Sequence, residues 1–251
     1  MPRYVVGNWK MHTLRDEAVS LAEGVARGIR DLDPAEVVVG VAPPFPFLEA
    51  VGRAIAGSAV LLVAQDLHPE AQGAFTGAVS GPMLASLGVE RVLVGHSERR
   101  SLFGEDDACV AAKLRGALAA GLDPILCVGE RLAEREAGRQ EAVVAAQLDA
   151  AFADLDPAAR ARLLVAYEPV WAIGTGVTAT PEQAGAMHAF IRSHLGPAAP
   201  PILYGGSVKP KNASDLAATP GIDGFLVGGA SLDADSFLAI VEGCRAAPRS
   251  E

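Results

Sequence analysis

Cysteine, aromatic residues and positive charge are all scarce in this 251-residue chain. The three cysteines are Cys109, Cys127 and Cys244, an odd number with no C-x-x-C pair. This usage argues against a disulfide framework or a zinc site and fits a reducing cytoplasm. With 21 basic and 30 acidic residues, the formal net charge is −9, which argues against nucleic-acid binding through a basic face.

Long hydrophobic runs are missing as well. No apolar run approaches the roughly 20 residues that a membrane-spanning helix needs, and the first eight residues lack the apolar stretch and cleavage site of a secretory signal. We therefore expect a cytoplasmic protein with neither a membrane nor a nucleic acid as partner. Half of the residues are nonetheless apolar and only 5% are aromatic, so the core must be built mainly from Val, Leu and Ala.

Eight short apolar segments rich in β-branched residues recur along the chain. Most are continuously apolar rather than alternating, which is typical of parallel strands covered on both faces. Dividing the 251 residues among eight units gives about 31 residues each, the size of one strand with one helix. The predicted strands are Tyr4–Lys10, Val37–Pro44, Val60–Asp66, Arg91–Glu98, Asp123–Glu130, Leu163–Val170, Pro201–Ser207 and Asp223–Ala230.

Segments with helical periodicity separate these strands. Thr180 precedes Pro181 in the order expected of an N-cap followed by the first helical residue. The clearest predicted helices are Asp16–Arg30, Asp107–Ala120, Arg131–Phe152, Pro181–Leu195 and Asp233–Arg245.

This alternation predicts an α/β fold, a single (β/α)8 barrel domain over residues 1–251 with eight parallel strands and outer helices. The alternative is an open, doubly wound sheet, which favours a G-x-G-x-x-G motif after the first strand; residues 7–12 do not match it. No linker rich in Ser, Pro or Gly divides the chain, so a second domain is not expected.

Polar residues concentrate at the C-terminal ends of the predicted strands, where barrel enzymes carry their chemistry. Glu168 ends an apolar strand, where partial desolvation would raise its pKa and make it a better base near neutral pH. A solvated strand-end glutamate is the alternative. His96 precedes a short helical turn whose positive end favours a neutral imidazole; alternatively, it is a core histidine bonded to a backbone carbonyl.

Three further features stand at the same rim. Asn8 and Lys10 lie two residues apart, so on a strand their side chains share one face, and an ammonium beside an amide suits developing oxyanion charge. A solvated lysine is the alternative. Two glycine-rich ends, Gly205-Gly206-Ser207 and Gly228-Gly229, favour backbone contact with an anion, or else form tight turns. The segment Pro169–Gly176 has an apolar middle that suits either a lid that excludes water or an ordered loop.

Several of these stretches closely resemble the triosephosphate isomerase family. They are collinear and cover nearly the whole chain. The resembling stretches are Gly7–Met11, Gly73–Gly77, Val94–Arg100, Ala166–Gly176, Tyr204–Val208 and Leu226–Leu232.

The resemblance implies an intramolecular aldose–ketose isomerase of glycolysis and gluconeogenesis, which interconverts dihydroxyacetone phosphate and D-glyceraldehyde 3-phosphate through an enediolate without a metal or organic cofactor. In that reading Glu168 moves the proton between neighbouring carbons, as this family is known to do with a glutamate base and a neutral histidine. Neutral His96 polarises the carbonyl, Lys10 stabilises the negative charge, and Asn8 helps to hold the substrate.

The resemblance also assigns supporting roles. Glu98 would organise Lys10 and Ser97. Backbone N–H groups would bind the phosphate, and they belong to Gly174, Ser207, Gly228 and Gly229.

The resemblance implies a homodimer through loop 65–80, because the Phe75-Thr76 tip of this loop resembles a segment that inserts beside the neighbour's site. At two positions near this interface the sequence departs from the family pattern. Where this sequence has Asp66, the family usually has Asn. It also has an acidic residue at Ala78, which pairs across the dimer with Arg99, so the resemblance does not extend to that ion pair. We expect a dimer held mainly by burial of the loop.

Two other classes of function remain at this point. An epimerase acting on sugar phosphates would need metal-ligand His and Asp residues at several strand ends, yet only His68 and His96 lie near this rim. A catalytically inactive barrel that serves as a binding protein should lack the base, yet Glu168, His96 and Lys10 are all present.

Overall fold

Eight parallel strands close into a barrel in the computed structural model, which describes residues 2–173 and 179–248. Each strand pairs with its neighbours in chain order, and the last strand pairs with the first. The (β/α)8 prediction is confirmed. The strands are β1 (Arg3–Asn8), β2 (Val37–Ala42), β3 (Val60–Ala64), β4 (Arg91–Val94), β5 (Asp123–Val128), β6 (Leu164–Tyr167), β7 (Ile202–Tyr204) and β8 (Gly224–Val227).

Every strand ends earlier than its sequence pattern predicts, by two to four residues. Lys10 and Glu168, which the sequence pattern assigns to strand ends, therefore belong to the loops that follow, whereas Asn8 remains the last residue of β1. The reason is that ladder pairing stops where the chain turns outward at the rim, whereas the apolar composition continues a little further.

Closure of the barrel between β1 and β8 depends on a glycine. Gly224 has φ of +147°, and a Cβ there would lie 1.9 Å from the carbonyl oxygen of Tyr4. No larger residue fits this approach, so Gly224 allows the two strands to pair. The register sets Tyr4 opposite Gly224 and Gly7 opposite Val227.

Two apolar clusters stabilise the barrel. The larger one fills the layer between strands and helices, where Trp9 and Phe237 are fully buried. The smaller one fills the barrel interior and is almost wholly aliphatic, as the low aromatic content predicts. Its members include Val6, Ala42, Val63, Leu93, Ile125, Leu164, Leu203 and Leu226.

Helices follow the strands on the outside of the barrel. The predicted helix Pro181–Leu195 is confirmed at both ends, and Thr180 caps it by accepting a hydrogen bond from the Gln183 amide at 3.2 Å. The α-helices are α1 (Arg15–Gly28), α2 (Leu48–Ala54), α3 (Gly81–Ser86), α4 (Ser97–Leu102), α5 (Asp107–Ala119), α6 (Leu132–Glu136), α7 (Gln140–Phe152), α8 (Pro157–Ala161), α9 (Pro181–Leu195), α10 (Pro210–Ala218) and α11 (Ala234–Ala246).

The prediction of one continuous helix over Arg131–Phe152 is wrong. The segment forms α6 and α7, and Gly138 between them has φ of +67°, a left-handed conformation that ends a helix. None of the helices within the described ranges is long and apolar enough to cross a membrane.

Candidate active site

A cavity of about 520 Å³ opens at the C-terminal end of the barrel. Most of the predicted site residues meet there, although they come from separate strands. Ser97 and Glu98 are not among the residues that line this cavity, and Gly174 lies outside the described residues. The predicted residues that line the cavity are Asn8, Lys10, His96, Glu168, Ser207, Gly228 and Gly229.

Glu168 is the first residue after β6 and is only 2% exposed. Its Oε1 lies 2.9 Å from Nε2 of His96, and its Oε2 accepts a hydrogen bond of 2.8 Å from the Ser97 amide. The loop after β5 packs tightly against the Glu168 backbone, because a Cβ on Gly129 would lie 1.7 Å from the Glu168 carbonyl oxygen. One segment, His96-Ser97, thus holds the carboxylate in a defined place, and Gly129 packs against the Glu168 backbone.

The predicted direction of the pKa shift of Glu168 is wrong. Burial does act to raise this pKa, but the imidazole of His96, the Ser97 amide and the ammonium of Lys10 outweigh burial and hold the pKa below its ordinary value. Desolvation alone could be inferred from the strand pattern, whereas the three stabilising partners come from distant parts of the chain. Glu168 is therefore ionised at neutral pH.

The two ring nitrogens of His96 contact different groups, an amide on one side and a carboxylate on the other. The Glu98 amide donates to Nδ1 at 3.2 Å, so Nδ1 acts as an acceptor and the ring proton lies on Nε2, facing Glu168. Burial acts to lower the pKa of His96, but the adjacent carboxylate of Glu168 raises it overall. The hydrogen bond from the Glu98 amide favours the neutral ring. Glu168 raises the pKa of His96 only while its carboxylate stays in contact with the ring.

Lys10 reaches the cavity by a different route from the predicted one. β1 ends at Asn8, and Lys10 has φ of +52°, so strand periodicity does not place it. Its amide donates to Oδ1 of Asn8 at 3.0 Å, and its carbonyl accepts from Nε2 of Gln65 at 2.8 Å. Its Nζ lies 2.6 Å from Oε1 of Glu98. The predicted pairing of Glu98 with Lys10 is thus present, whereas Ser97 bonds Glu168 instead.

The far end of the cavity is formed by the loops after β7 and β8. Nδ2 of Asn212 donates to the Ser207 carbonyl at 3.1 Å. The amide and hydroxyl of Ser231 both donate to the Gly228 carbonyl, at 2.8 and 2.7 Å. These bonds occupy carbonyl oxygens and leave an anion-binding role to the N–H groups of this end.

Glu130 anchors the start of the segment that the sequence interprets as a lid. This carboxylate is fully buried, accepts from Nε1 of Trp171 at 2.8 Å and from the Tyr167 hydroxyl at 3.1 Å, and pairs with Arg135 at 3.1 Å. Residues 174–178 lie outside the described residues, so the lid interpretation stays a prediction.

Arg99 is satisfied within its own chain. Its guanidinium lies 3.0 Å from Asp66 and also pairs with Glu105, and Lys113 bonds both of those carboxylates. Burial raises the pKa of Asp66, with Lys113 and Arg99 acting against it. Asp66 therefore pairs with Arg99, whereas Ala78 has no carboxylate that could do so.

Sequence reasoning missed four residues of this region. Gln65 donates a hydrogen bond to the Lys10 carbonyl, and Glu130 accepts one from the Trp171 ring. Lys209 and Ser236 line the cavity itself. Glu130 stands at a predicted strand end, which is a usable signal. Gln65 also falls at the end of a predicted strand, Val60–Asp66, whereas Lys209 and Ser236 carry no signal of their own, because only the closed barrel brings them to the site.

The arrangement is suited to proton transfer beside a carbonyl group. An ionised carboxylate faces a histidine N–H donor, an ammonium group lies on the same cavity wall, and a glycine-rich end provides backbone donors. A carboxylate can remove a proton from carbon, and the histidine and lysine can stabilise the oxyanion that results.

Comparison with known proteins agrees with this geometry. A family model described as Triosephosphate isomerase matches residues 3–244. A triosephosphate isomerase from Thiobacillus denitrificans is 54% identical over 253 residues, covering 98% of this chain and 99% of that protein. One from Roseiflexus sp. (strain RS-1) is 53% identical over 244 residues, covering 94% and 95%. The chain belongs to the triosephosphate isomerase family.

Proposed function

We propose that this chain interconverts dihydroxyacetone phosphate and D-glyceraldehyde 3-phosphate, an aldose–ketose isomerisation that serves glycolysis and gluconeogenesis. The observation that carries the proposal is the contact between Glu168 and His96, 2.9 Å apart, in a cavity that also holds Lys10 and a glycine-rich end. A base, a donor to oxygen and an anion site are the three parts that this reaction requires.

Glu168 acts as the base. It takes the proton from the carbon beside the carbonyl of dihydroxyacetone phosphate and returns it to the neighbouring carbon. When substrate binds, its oxygen takes over the N–H of His96 that now faces Glu168. Glu168 then loses one of the partners that lower its pKa, while burial continues to raise it, so the carboxylate becomes a stronger base at the moment of use.

His96 and Lys10 stabilise the enediolate. Neutral His96 donates from Nε2 to the substrate oxygens and carries protons between them, and the ammonium of Lys10 offsets their negative charge. Asn8 holds the backbone of Lys10 and lines the cavity beside it. Backbone N–H groups bind the phosphate, and we assign them to Gly174, Ser207, Gly228 and Gly229.

A coupled assay tests this function. The purified chain should convert dihydroxyacetone phosphate to glyceraldehyde 3-phosphate, read through a dehydrogenase that consumes the product, and the rate should be unchanged by EDTA. Absence of turnover in a folded sample, or turnover that requires an added divalent metal, would overturn the proposal. A metal requirement would favour the epimerase-like class instead.

We further propose that residues 1–251 form one barrel domain in a cytoplasmic homodimer. Large apolar side chains of loop 65–80 and neighbouring loops are exposed, including Met11 at 94% and Phe103 at 66%, with Phe75 at the loop tip at 45%. Beside them lies a cavity of about 330 Å³ lined by Met11, Gln65 and Phe103. Burial of these side chains by a second copy would stabilise a dimer.

Sedimentation at micromolar concentration tests the dimer. Phe75→Ser should shift the chain toward monomer, whereas Leu132→Ser, which changes an equally exposed leucine on α6, should not. A wild-type chain that is monomeric and fully active would contradict the dimer.

A further inference from the structure

The phosphate end of the cavity contains a cation that the roles given above do not use. Of the described residues that line the cavity, only Lys10 and Lys209 carry positive charge. Lys209 stands two residues after Ser207 and immediately before α10. Its side chain is exposed and makes no ion pair within the ranges that the structure describes.

The local charge balance leaves a role for this lysine. Lys10 is paired with Glu98 at 2.6 Å, and Glu168 adds a second carboxylate. Once substrate separates His96 from Glu168 and the ring is neutral, the Lys10, Glu98 and Glu168 side chains carry a formal net charge of −1, in a protein whose net charge is −9. Such a field repels a phosphorylated substrate, and a second cation near the phosphate would offset this repulsion together with the backbone N–H groups of the glycine-rich end.

The backbone holds Lys209 at this end of the cavity. The Lys209 amide donates to Oδ1 of Asn212 at 2.7 Å, and Nδ2 of the same Asn212 donates to the Ser207 carbonyl at 3.1 Å. One side chain thus spans the segment from Ser207 to Lys209 and fixes the lysine relative to the glycine-rich end.

We propose that Lys209 is a binding residue for the phosphate group of the substrate, acting by charge attraction at the mouth of the cavity. The proposal rests on the function given above. Because the phosphate keeps its charge throughout the reaction, this attraction is the same for substrate and transition state, and it changes KM rather than kcat. Salt weakens it, since the side chain is exposed.

Charge variants at two lysines test the proposal. Lys211 lies two residues further on, in the first turn of α10, is also exposed, and is outside the cavity lining, so it is a matched control for net charge. Lys209→Gln should raise KM for dihydroxyacetone phosphate and the inhibition constant of inorganic phosphate about three- to tenfold, and Lys209→Glu further, with kcat within about twofold of wild type. Lys209→Arg should restore wild-type values.

Two controls decide whether Lys209 acts through its charge at the phosphate: the same substitutions at Lys211, and the measurement of Lys209→Glu at high salt. Lys211→Gln and Lys211→Glu should leave both constants within about twofold of wild type, and the effect of Lys209→Glu should shrink to about twofold in 0.5 M salt. Equal effects at the two lysines, or no change in KM at Lys209, would overturn the proposal. If wild type shows no turnover, the proposed function fails, and calorimetric binding of inorganic phosphate to the same variants still decides the role of Lys209.

Discussion

Glu168 and His96 hold each other in place, with Oε1 of the carboxylate 2.9 Å from Nε2 of the ring. Each group changes the other's proton affinity, since the contact lowers the pKa of Glu168 and raises the pKa of His96. A substrate oxygen that enters between them releases both effects together. The contact therefore keeps the base ionised before the reaction and lets it strengthen during the reaction.

Shortening the base should slow the reaction severely. Glu168→Asp moves the carboxylate back by about one methylene, out of reach of the substrate carbon. We expect kcat to fall by about 10²-fold or more, with KM changed only a few-fold, because a misplacement of about 1 Å has this effect on a positioned group. Steady-state kinetics check this, and a kcat within threefold of wild type would argue against direct proton transfer by Glu168.

Removing the charge of Lys10 should damage both binding and catalysis. Lys10→Met keeps most of the side-chain volume but leaves Glu98 without its 2.6 Å partner and the enediolate without its cation. We expect kcat/KM to fall by about 10²- to 10³-fold. Lys211→Met is the control, as it removes the same charge away from the cavity. Similar kinetics for the two variants would contradict the role of Lys10.

Tyr167 should contribute to stability through Glu130. Its hydroxyl lies 3.1 Å from both oxygens of that fully buried carboxylate. Tyr167→Phe leaves the charge less satisfied, and we expect a loss of about 1–3 kcal/mol in the free energy of unfolding. In Tyr4→Phe the lost hydroxyl has no hydrogen bond among the described residues, so denaturant titration of that variant should match wild type within about 0.5 kcal/mol.

His188 should make the fold sensitive to mild acid. Its ring is fully buried against Tyr167 and Tyr204, Nδ1 bonds the Gly221 carbonyl at 3.0 Å, and burial lowers its pKa from 6.5 to about 4. Between these pH values the unfolded chain binds more protons than the native one, so stability falls as pH falls.

The expected loss from this group between pH 7 and pH 5 is about 2 kcal/mol. Denaturant titrations of His188→Asn should show a correspondingly smaller decrease over that interval. His12→Gln, at an exposed histidine, should show the wild-type decrease. An unchanged pH dependence in His188→Asn would mean that other groups govern the acid response.

The order of the elements could be predicted from the sequence because it depends on local patterns. Continuous apolar runs mark buried parallel strands, and Thr180 with Pro181 marks the start of α9. The ends of the strands could not be predicted, since pairing with a neighbour decides where a ladder stops. Short helices such as α8 also lack enough turns to show a period.

Most residues of the site could be placed from motifs and strand ends, whereas their energetics could not. The pKa of Glu168 depends on Ser97 and Lys10, which are far away in the chain. Gln65 and Lys209 reach the site only because the barrel closes around it. Asp66 appeared as a departure from the family pattern, and only the structure reveals its contact with Arg99.

Exchange of substrate hydrogen with solvent is the most direct test of the account. In D₂O, proton NMR should show that the wild-type chain introduces one deuterium on the carbon beside the carbonyl of dihydroxyacetone phosphate as it isomerises. Glu168→Gln should reduce the rate of this exchange by about 10³-fold or more, with phosphate binding preserved. Exchange by Glu168→Gln at nearly the wild-type rate would contradict the central claim that this carboxylate moves the proton.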